Sequence, residues 1–448
     1  MADIVEIALA SLDREQRWSA EYWRPQYQAP LQSRLDWRPI GEFLLSAQYG
    51  LSHDMNEEGD GPPCFRMNEM DGLFMSNAQK FMHVSQREKA EYSLNVGDVL
   101  FNRTNSLAFV GRTGFVSEPV DAVFASYLVR LVPNKARLLP EYLAAYLNSE
   151  VGIGQVKRRA MESINQANVS ASELKKVPIP RAEGHFQERV AELIWRAARC
   201  RTEAKNKMEL AERTLSESIG VRSRAARQTF CREVSFVELC ASRRLDAEYF
   251  YPKYQDVLAV LGRDGRTLGD IADLMERKFR PIPEASSFDY IEIGDLRMDG
   301  TTGSETIEVA NAPSRAQWVV KEGDVITSTV RPIRRLSALI LPGQGDYVCS
   351  SGFAVLKPKG GILSEVLLTY LRIPVICDLL DLSTTASMYP AISTSRLLAI
   401  PFCAPPPAAA LEVQRSVREG IALRAEAANL TGQATAMIDA LVRDAQAH

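Results

Sequence analysis

The feature that most constrains this chain is that it repeats itself. Ala20-Glu21-Tyr22-Trp23-Arg24-Pro25-Gln26-Tyr27-Gln28 returns as Ala247-Glu248-Tyr249-Phe250-Tyr251-Pro252-Lys253-Tyr254-Gln255, with six of nine positions identical. An arginine stands ahead of each block, at Arg17 and Arg244. Gly97-Asp98-Val99-Leu100 returns as Gly323-Asp324-Val325-Ile326. Ser126 with Val129-Arg130-Leu131-Val132-Pro133 returns as Ser351 with Ala354-Val355-Leu356-Lys357-Pro358. Val169-Ser170, Leu174 and Val177-Pro178 return as Ile392-Ser393, Leu397 and Ile400-Pro401. The blocks keep one order at a spacing of about 226 residues, and collinearity over the whole set is not a product of chance. A period this long is a whole domain, not a solenoid unit. Two similar domains in one chain bring pseudo-twofold symmetry, which suits a partner that itself has two halves.

Each repeat reads as mixed helix and strand. Gly97-Asp98 predicts a tight turn into a strand at Val99-Leu100-Phe101, and the stretch from Phe124 to Val132 alternates as a strand does. Pro140 to Leu147 predicts a short helix with proline in its first turn, and Ser364 to Leu371 holds the same place in the second repeat. Pro178 with Pro180, and Pro401 with Pro405-Pro406-Pro407, end each domain. Long helices follow, near 183–220 and 408–447, each long enough to span roughly 55–60 Å. Val190, Ile194, Ala197, Ala204, Met208, Ala211 and Leu215 form a narrow apolar stripe on the first. Val417, Ile421, Ala425, Ala428, Met437 and Leu441 form one on the second, with Gln187 aligned to Gln414. Such a stripe wants a partner helix. The reading is an antiparallel, coiled-coil-like pair, the alternative being bundle helices around a compact core. The expected fold class is α+β: two tandem mixed domains separated by long helices. The expected layout is a leader at 1–35, a first domain at 36–180, a helix at 181–220, a connecting segment at 221–255, a second domain at 256–404 and a helix at 405–448.

Composition removes several classes. The chain has 448 residues, 46% hydrophobic and 24% charged, as ordinary globular proteins do. Its seven cysteines, at 64, 200, 231, 240, 349, 377 and 403, form no Cys-x-x-Cys pair, which fits a reducing cytoplasm and argues against a disulfide framework. The N-terminus carries no signal-peptide pattern, and no stretch of about 20 apolar residues predicts a membrane span. A net charge of −3 argues against indiscriminate nucleic-acid binding and leaves room for a local basic face.

Gly97 to Asn105 (Gly-Asp-Val-Leu-Phe-Asn-Arg-Thr-Asn), Val110-Gly111-Arg112-Thr113-Gly114 and Ala125 to Leu131 resemble the body of a target-recognition domain from the DNA-specificity subunits of type I restriction–modification systems. Ser163 to Ser170, Leu174, Val177 to Pro180 and Gln187 are similar to that family's closing signature, and Tyr290 to Leu296 resembles its early strand. The resemblance runs through nearly the whole chain. In the second repeat Thr327-Ser328-Thr329 and Tyr389-Pro390 replace the Asn-Arg-Thr and Gln-Ala-Asn stretches, and the leader departs from the family pattern. It implies that each domain reads one half of a split target in double-stranded DNA. It implies helices that set the gap and dock two copies of a DNA methyltransferase subunit, with room for a restriction or helicase subunit. S-adenosylmethionine is then expected in the methyltransferase, and no cofactor in this chain.

Reading DNA takes cations for phosphates and planar polar groups for base edges. The candidates in the first domain are Asn102, Arg103, Thr104, Asn105, Arg112, the Lys157-Arg158-Arg159 cluster, Asn165 and Gln166. Those in the second are Arg277, Lys278 (with Arg280 nearby), Ser328, Thr329, Arg331, Arg334, Arg335 and Tyr389. Arginine can bridge guanine O6/N7 and asparagine adenine N6/N7. The same residues also suit a turn after a strand, and any one basic cluster suits a solvated surface. Tyr22-Trp23 and Tyr249-Phe250 read as packing anchors.

No catalytic signature appears. The Asn/Asp-Pro-Pro-aromatic loop of an adenine methyltransferase is missing, Gly152-Ile153-Gly154 is a lone Gly-x-Gly, and no Gly-Lys-Ser/Thr tripeptide exists. Glu276-Arg277-Lys278, in what reads as a helix-to-turn region, and Glu173-Leu174-Lys175 match the short Glu-x-Lys of some nucleases, a tripeptide common by chance. The histidines at 53, 83, 185 and 448 have no ligand spacing. The expectation is a non-catalytic recognition subunit. The alternatives are a self-contained DNA-modifying or DNA-cleaving enzyme, or a scaffold that does not read DNA.

Overall fold

The computed structural model describes residues 7, 18–76, 78–164, 166–221, 233–242, 244–281, 286–385 and 390–446. Asn165, Tyr389, Arg17, Cys231, His448, most of the 1–35 leader's first half and part of the 221–255 connecting segment lie outside the described residues. The chain divides into two compact units, one of residues 1–201 with 425–448, the other of 202–424.

In the first unit a sheet orders its strands Leu44–Tyr49, Leu128–Pro133, Val99–Asn102, Thr113–Phe115, Phe74–Met75 and Met70–Asp71. In the second unit a sheet runs Ala272–Leu274, Phe353–Pro358, Val325–Ser328 and Ser337–Leu339. The four strands common to both follow one order. The second sheets agree as well. Val123–Phe124 lies parallel to Pro63–Phe65, with Val123 opposite Cys64, and Val348–Ser350 lies parallel to Ser287–Ile291, with Val348 opposite Tyr290. Finally, Trp37–Pro39 pairs with Pro178–Pro180 in one unit and Arg266–Thr267 with Pro401–Phe402 in the other.

The turn read at Gly97-Asp98 is present twice. Gly97 and Gly323 take φ of +96° and +82°, a region in which a side chain would strain the backbone. Asp98 accepts from the backbone N–H of Asn95 at 2.9 Å, and Asp324 from that of Lys321 at 2.8 Å. Both carboxylates are buried, and burial pushes both up from the usual aspartate value. Each has a guanidinium for company: Arg130 lies 3.6 Å from Asp98, and Arg277 pairs with Asp324.

The long helices run Gly184–Ser218 and Pro407–Gln446. In the first unit Val190, Ile194 and Ala197 share a core with Ala427, Leu430, Ala434 and Ile438. In the second, Met208, Ala211, Leu215 and Ile219 share one with Val413 and Val417. The start of each helix thus meets the end of the other, which makes the pair antiparallel. The first stripe is buried as read. The second is buried only in part: Val417 points inward and Ile421 and Met437 pack half-buried against the core, but Ala425 and Ala428 are exposed, and Val413, Gly420, Ala427, Leu430, Ala434, Ile438 and Val442 complete the inward face. Gly420 explains the misreading. It sits where a Cβ would come within 3.3 Å of the Ala204 carbonyl and the Met208 sulfur, so a contact point of the stripe carries no apolar side chain. The buried positions also move the repeat register. Val190, Ile194, Ala211, Leu215 and Ile219 match Val413, Val417, Ala434, Ile438 and Val442, one helical turn away from the Gln187–Gln414 alignment. A slip of four residues keeps the same face, so the sequence pattern could not see it.

Candidate nucleic-acid interface

In the first unit the strand Val99–Asn102 ends in a loop that returns at Thr113–Phe115. The loop closes on itself: the Gly111 N–H donates to the Asn102 carbonyl at 2.9 Å, and the Asn102 N–H donates to the Arg112 carbonyl at 2.9 Å. At its start Thr104–Asn105 joins Gln166–Asn168 and Met161–Ser163 in a small three-stranded sheet. Asn168 Nδ2 donates to Thr104 Oγ1 at 2.9 Å. The structure therefore gathers Arg103, Thr104, Asn105, Arg112 and Gln166 from segments about 60 residues apart. Lys157 is placed nearby, since the neighbouring Val156 packs against Gly111 at the loop's base.

The side chains in this group differ in freedom. Arg103 is half-buried: its guanidinium stacks 4.9 Å from the Tyr49 ring and donates to the Ser126 carbonyl at 3.3 Å. Arg112 is exposed and lies 4.1 Å over the exposed Phe109 ring. Such stacking holds a planar cation in a fixed direction while leaving its N–H edge open. Gln166 is exposed, and Asn105 is half-buried beside Met67. Exposed Leu107, Tyr127 and Ile164 border the group. Sequence reading missed these apolar neighbours, though the apolar run Leu107-Ala108-Phe109-Val110 inside a turn was the available signal.

The second unit repeats the plan with other residues. Arg103 accepts from the Val169 N–H and donates its own N–H to the Tyr127 carbonyl; Thr329 does likewise with Ile392 and Gly352. The strand Val325–Ser328 leads into a tight turn, Pro332–Arg334, flanked by Arg331 and Arg335 at φ of +50° and +60°. Non-glycine residues held in this region cost about 1–3 kcal/mol each, and such strain clusters at functional turns. Ile333 and Arg334 are exposed at the tip.

Several expected contacts do not survive. Asn102 and Ser328 are buried; Asn102 donates to the Phe109 carbonyl at 3.3 Å, and Ser328 to the Val330 carbonyl at 2.9 Å. Arg158 and Arg159 are only 6% and 4% exposed. Arg158 lies 3.9 Å over the Tyr22 ring and donates to the Tyr22 carbonyl at 3.0 Å, and Arg159 donates to the Tyr22 hydroxyl at 3.0 Å. They pin the leader block to the domain, and Tyr22-Trp23 is the packing anchor it was read as. Arg335 makes two 2.6 Å bonds to Glu212 and a 2.7 Å bond to the Arg372 carbonyl, so it braces the long helix. Arg277 is taken by Asp324 and by the Val319 carbonyl at 3.0 Å. Through Asp324 it sits at the opposite end of Val325–Ser328 from Thr329, about 13 Å along the strand, while the exposed Lys278 bridges Trp318 on the strand Ala316–Val319. Arg277 does not join Arg331 and Arg334.

The two Glu-x-Lys tripeptides and the lone Gly-x-Gly fall in unrelated surroundings. Glu276 follows the strand Ala272–Leu274, not a helix, and Glu173 serves Arg159 and Lys176. Gly152 lies inside the helix Glu150–Arg158, pressed against the Tyr146 carbonyl, so it is a packing glycine. Among the described residues no group of three or more His, Cys, Asp or Glu is arranged to hold a metal ion, and no helix is long and apolar enough to cross a membrane.

No family model matches the chain. It is 25% identical over 164 residues to the putative type I restriction enzyme MjaX specificity subunit of Methanocaldococcus jannaschii, a match of 36% of this chain and 39% of that protein. It is 27% identical over 160 residues to the type I restriction enzyme EcoKI specificity subunit of Escherichia coli, 34% of each. The chain thus spans little more than a third of the length of these curated relatives. Among solved structures it is similar to the HsdS subunit from Thermoanaerobacter tengcongensis, at 15% identity and a TM-score of 0.29 over 90% of this chain and 95% of that one. It is also similar to the type I restriction–modification S subunit from M. genitalium, at 12% identity and a TM-score of 0.37 over 93% and 97%.

Proposed function

We propose that this chain is a DNA-specificity subunit of the type I restriction–modification kind, whose two domains each read one half of a split target in double-stranded DNA. The observation that carries the proposal is the repeated loop. In both units one strand ends in a turn held by equivalent backbone bonds, and each turn offers arginine at its surface, Arg112 in one and Arg334 in the other. The surrounding residues differ between the units, which is what two different half-sites require. Arg112, with its guanidinium edge open above Phe109, suits a guanine; the exposed Gln166 suits an adenine, while Asn105, bonded to Met67 and to the Ser106 N–H, shapes the loop. Lys157 would meet a phosphate.

The chain's role is binding, not chemistry. A partner DNA methyltransferase, in two copies, supplies the reaction with S-adenosylmethionine bound in that partner, and a restriction or helicase subunit completes the assembly. The long antiparallel helices are the natural frame for such partners. A net charge of −3 makes phosphate attraction by the chain alone weak, so firm binding waits for the assembled complex. The test is to map methylated bases in the native host with and without this gene. A bipartite motif that disappears on deletion supports the reading; an unchanged pattern sinks it. The purified chain incubated with DNA, magnesium and S-adenosylmethionine should give neither cleavage nor methylation, and turnover would favour an enzyme instead.

A further inference from the structure

Met-Asp-Gly occurs once in each repeat, at Met70-Asp71-Gly72 and Met298-Asp299-Gly300. Both glycines take positive φ, +63° and +79°, so each aspartate stands on the same kind of turn. In the first unit Asp71 pairs with Arg201 of the first long helix at 2.8 Å. In the second unit Asp299 pairs with Arg424 of the second long helix at 2.5 Å. Matched by their buried faces, with Val190 opposite Val413, the helices put Arg201 and Arg424 at equivalent positions. The pair side chains are 18% and 30% exposed in the first unit and 15% and 13% in the second, sheltered enough to escape most salt screening.

A second attachment accompanies each. Trp195 Nε1 donates to Glu141 at 2.7 Å, and Arg418 Nε donates to Glu365 at 2.6 Å. Glu141 and Glu365 sit on the equivalent short helices Pro140–Leu147 and Ser364–Tyr370. In both units the two attachment points lie six residues apart on the long helix, about 9 Å. Each long helix also shares the apolar core of its unit, with Trp195 edge-on to Phe115 at 5.4 Å, and the two polar attachments add a directional hold to that packing.

We propose, resting on the reading above, that the duplicated clasps Asp71–Arg201 and Asp299–Arg424 are positioning devices: each holds its recognition domain at a set angle on its own helix, and so fixes the number of base pairs between the two half-sites. Neither pair touches DNA. Breaking a clasp should leave both half-motifs intact and loosen only the gap. The experiment maps methylated sites in the native host carrying the wild type, Arg201→Ala, the milder Asp71→Asn, and the swapped pair Arg201→Asp with Asp71→Arg. The wild type should show one gap length. Each single variant should show the same half-motifs at gaps one base pair longer or shorter as well, and the swapped pair should return to one gap. A single gap retained in both single variants, a change in half-motif bases, a lowered melting temperature with the gap unchanged, or a loss of methylation that the swap does not restore would each overturn the proposal. If the wild type itself shows no split motif, the fault lies with the functional reading and not with the clasp.

Discussion

Charge in a sequence says nothing of what will neutralise it, and Lys157-Arg158-Arg159 shows the consequence residue by residue. Lys157 stays at the surface, while its two neighbours turn inward onto Tyr22, a residue more than 130 positions earlier. Arg158→Ala should cost about 1–3 kcal/mol of stability by removing the stack on the Tyr22 ring and one of the two donors to the Tyr22 carbonyl, Gln28 Nε2 being the other, measured by thermal unfolding, with the target motif unchanged. Arg112→Ala should instead leave the melting temperature alone and weaken specific binding by about 1–3 kcal/mol, relaxing one base position. Lys157→Ala should weaken binding evenly across sequences and flatten its salt dependence. Titration offers a separate check. Glu88 caps its helix through the Ser85 backbone N–H and bonds to His53 and the Ser85 hydroxyl, which lower its carboxyl to about 2. A carboxylate lowered on folding stabilises at ordinary pH and loses that contribution as pH falls through about 2. An NMR titration of Glu88 should find a midpoint near that value, and Ser85→Ala should move it up.

At the scale of elements, regular structure was readable because it rests on local periodicity. The short helix Pro140–Leu147 begins and ends where its proline and apolar run predict, and both long helices lie within a few residues of their expected bounds. What the sequence concealed was contact without hydrophobicity. Gly420 and the buried Ser416 hold places in the helix seam that a search for apolar residues passes over. The four-residue slip in helix register hid for a related reason, since a full turn returns to the same face. The candidate loops were only partly legible. Their residue types were visible, but the pairing of Thr104–Asn105 with Gln166–Asn168, which brings them together, is a long-range event. Close packing at Gly420 makes a prediction. Gly420→Leu should force Ala204 and Met208 away and destabilise the second unit by about 1–3 kcal/mol, seen as an earlier unfolding transition.

For the molecule as a whole, duplication is the organising fact. Collinear sequence blocks announced it, and the strand orders of the two units and their Arg–Asp clasps extend it beyond those blocks. On the proposed function, a fold repeated with its candidate contact residues changed would read two different things in one way. The central claim is therefore that each domain reads its own half-site. It is tested most directly by exchanging residues 36–180 for the corresponding domain of another specificity subunit and sequencing the methylated bases. The account predicts that one half of the motif changes to the donor's and the other half stays. Two unchanged halves, or two altered ones, would contradict it.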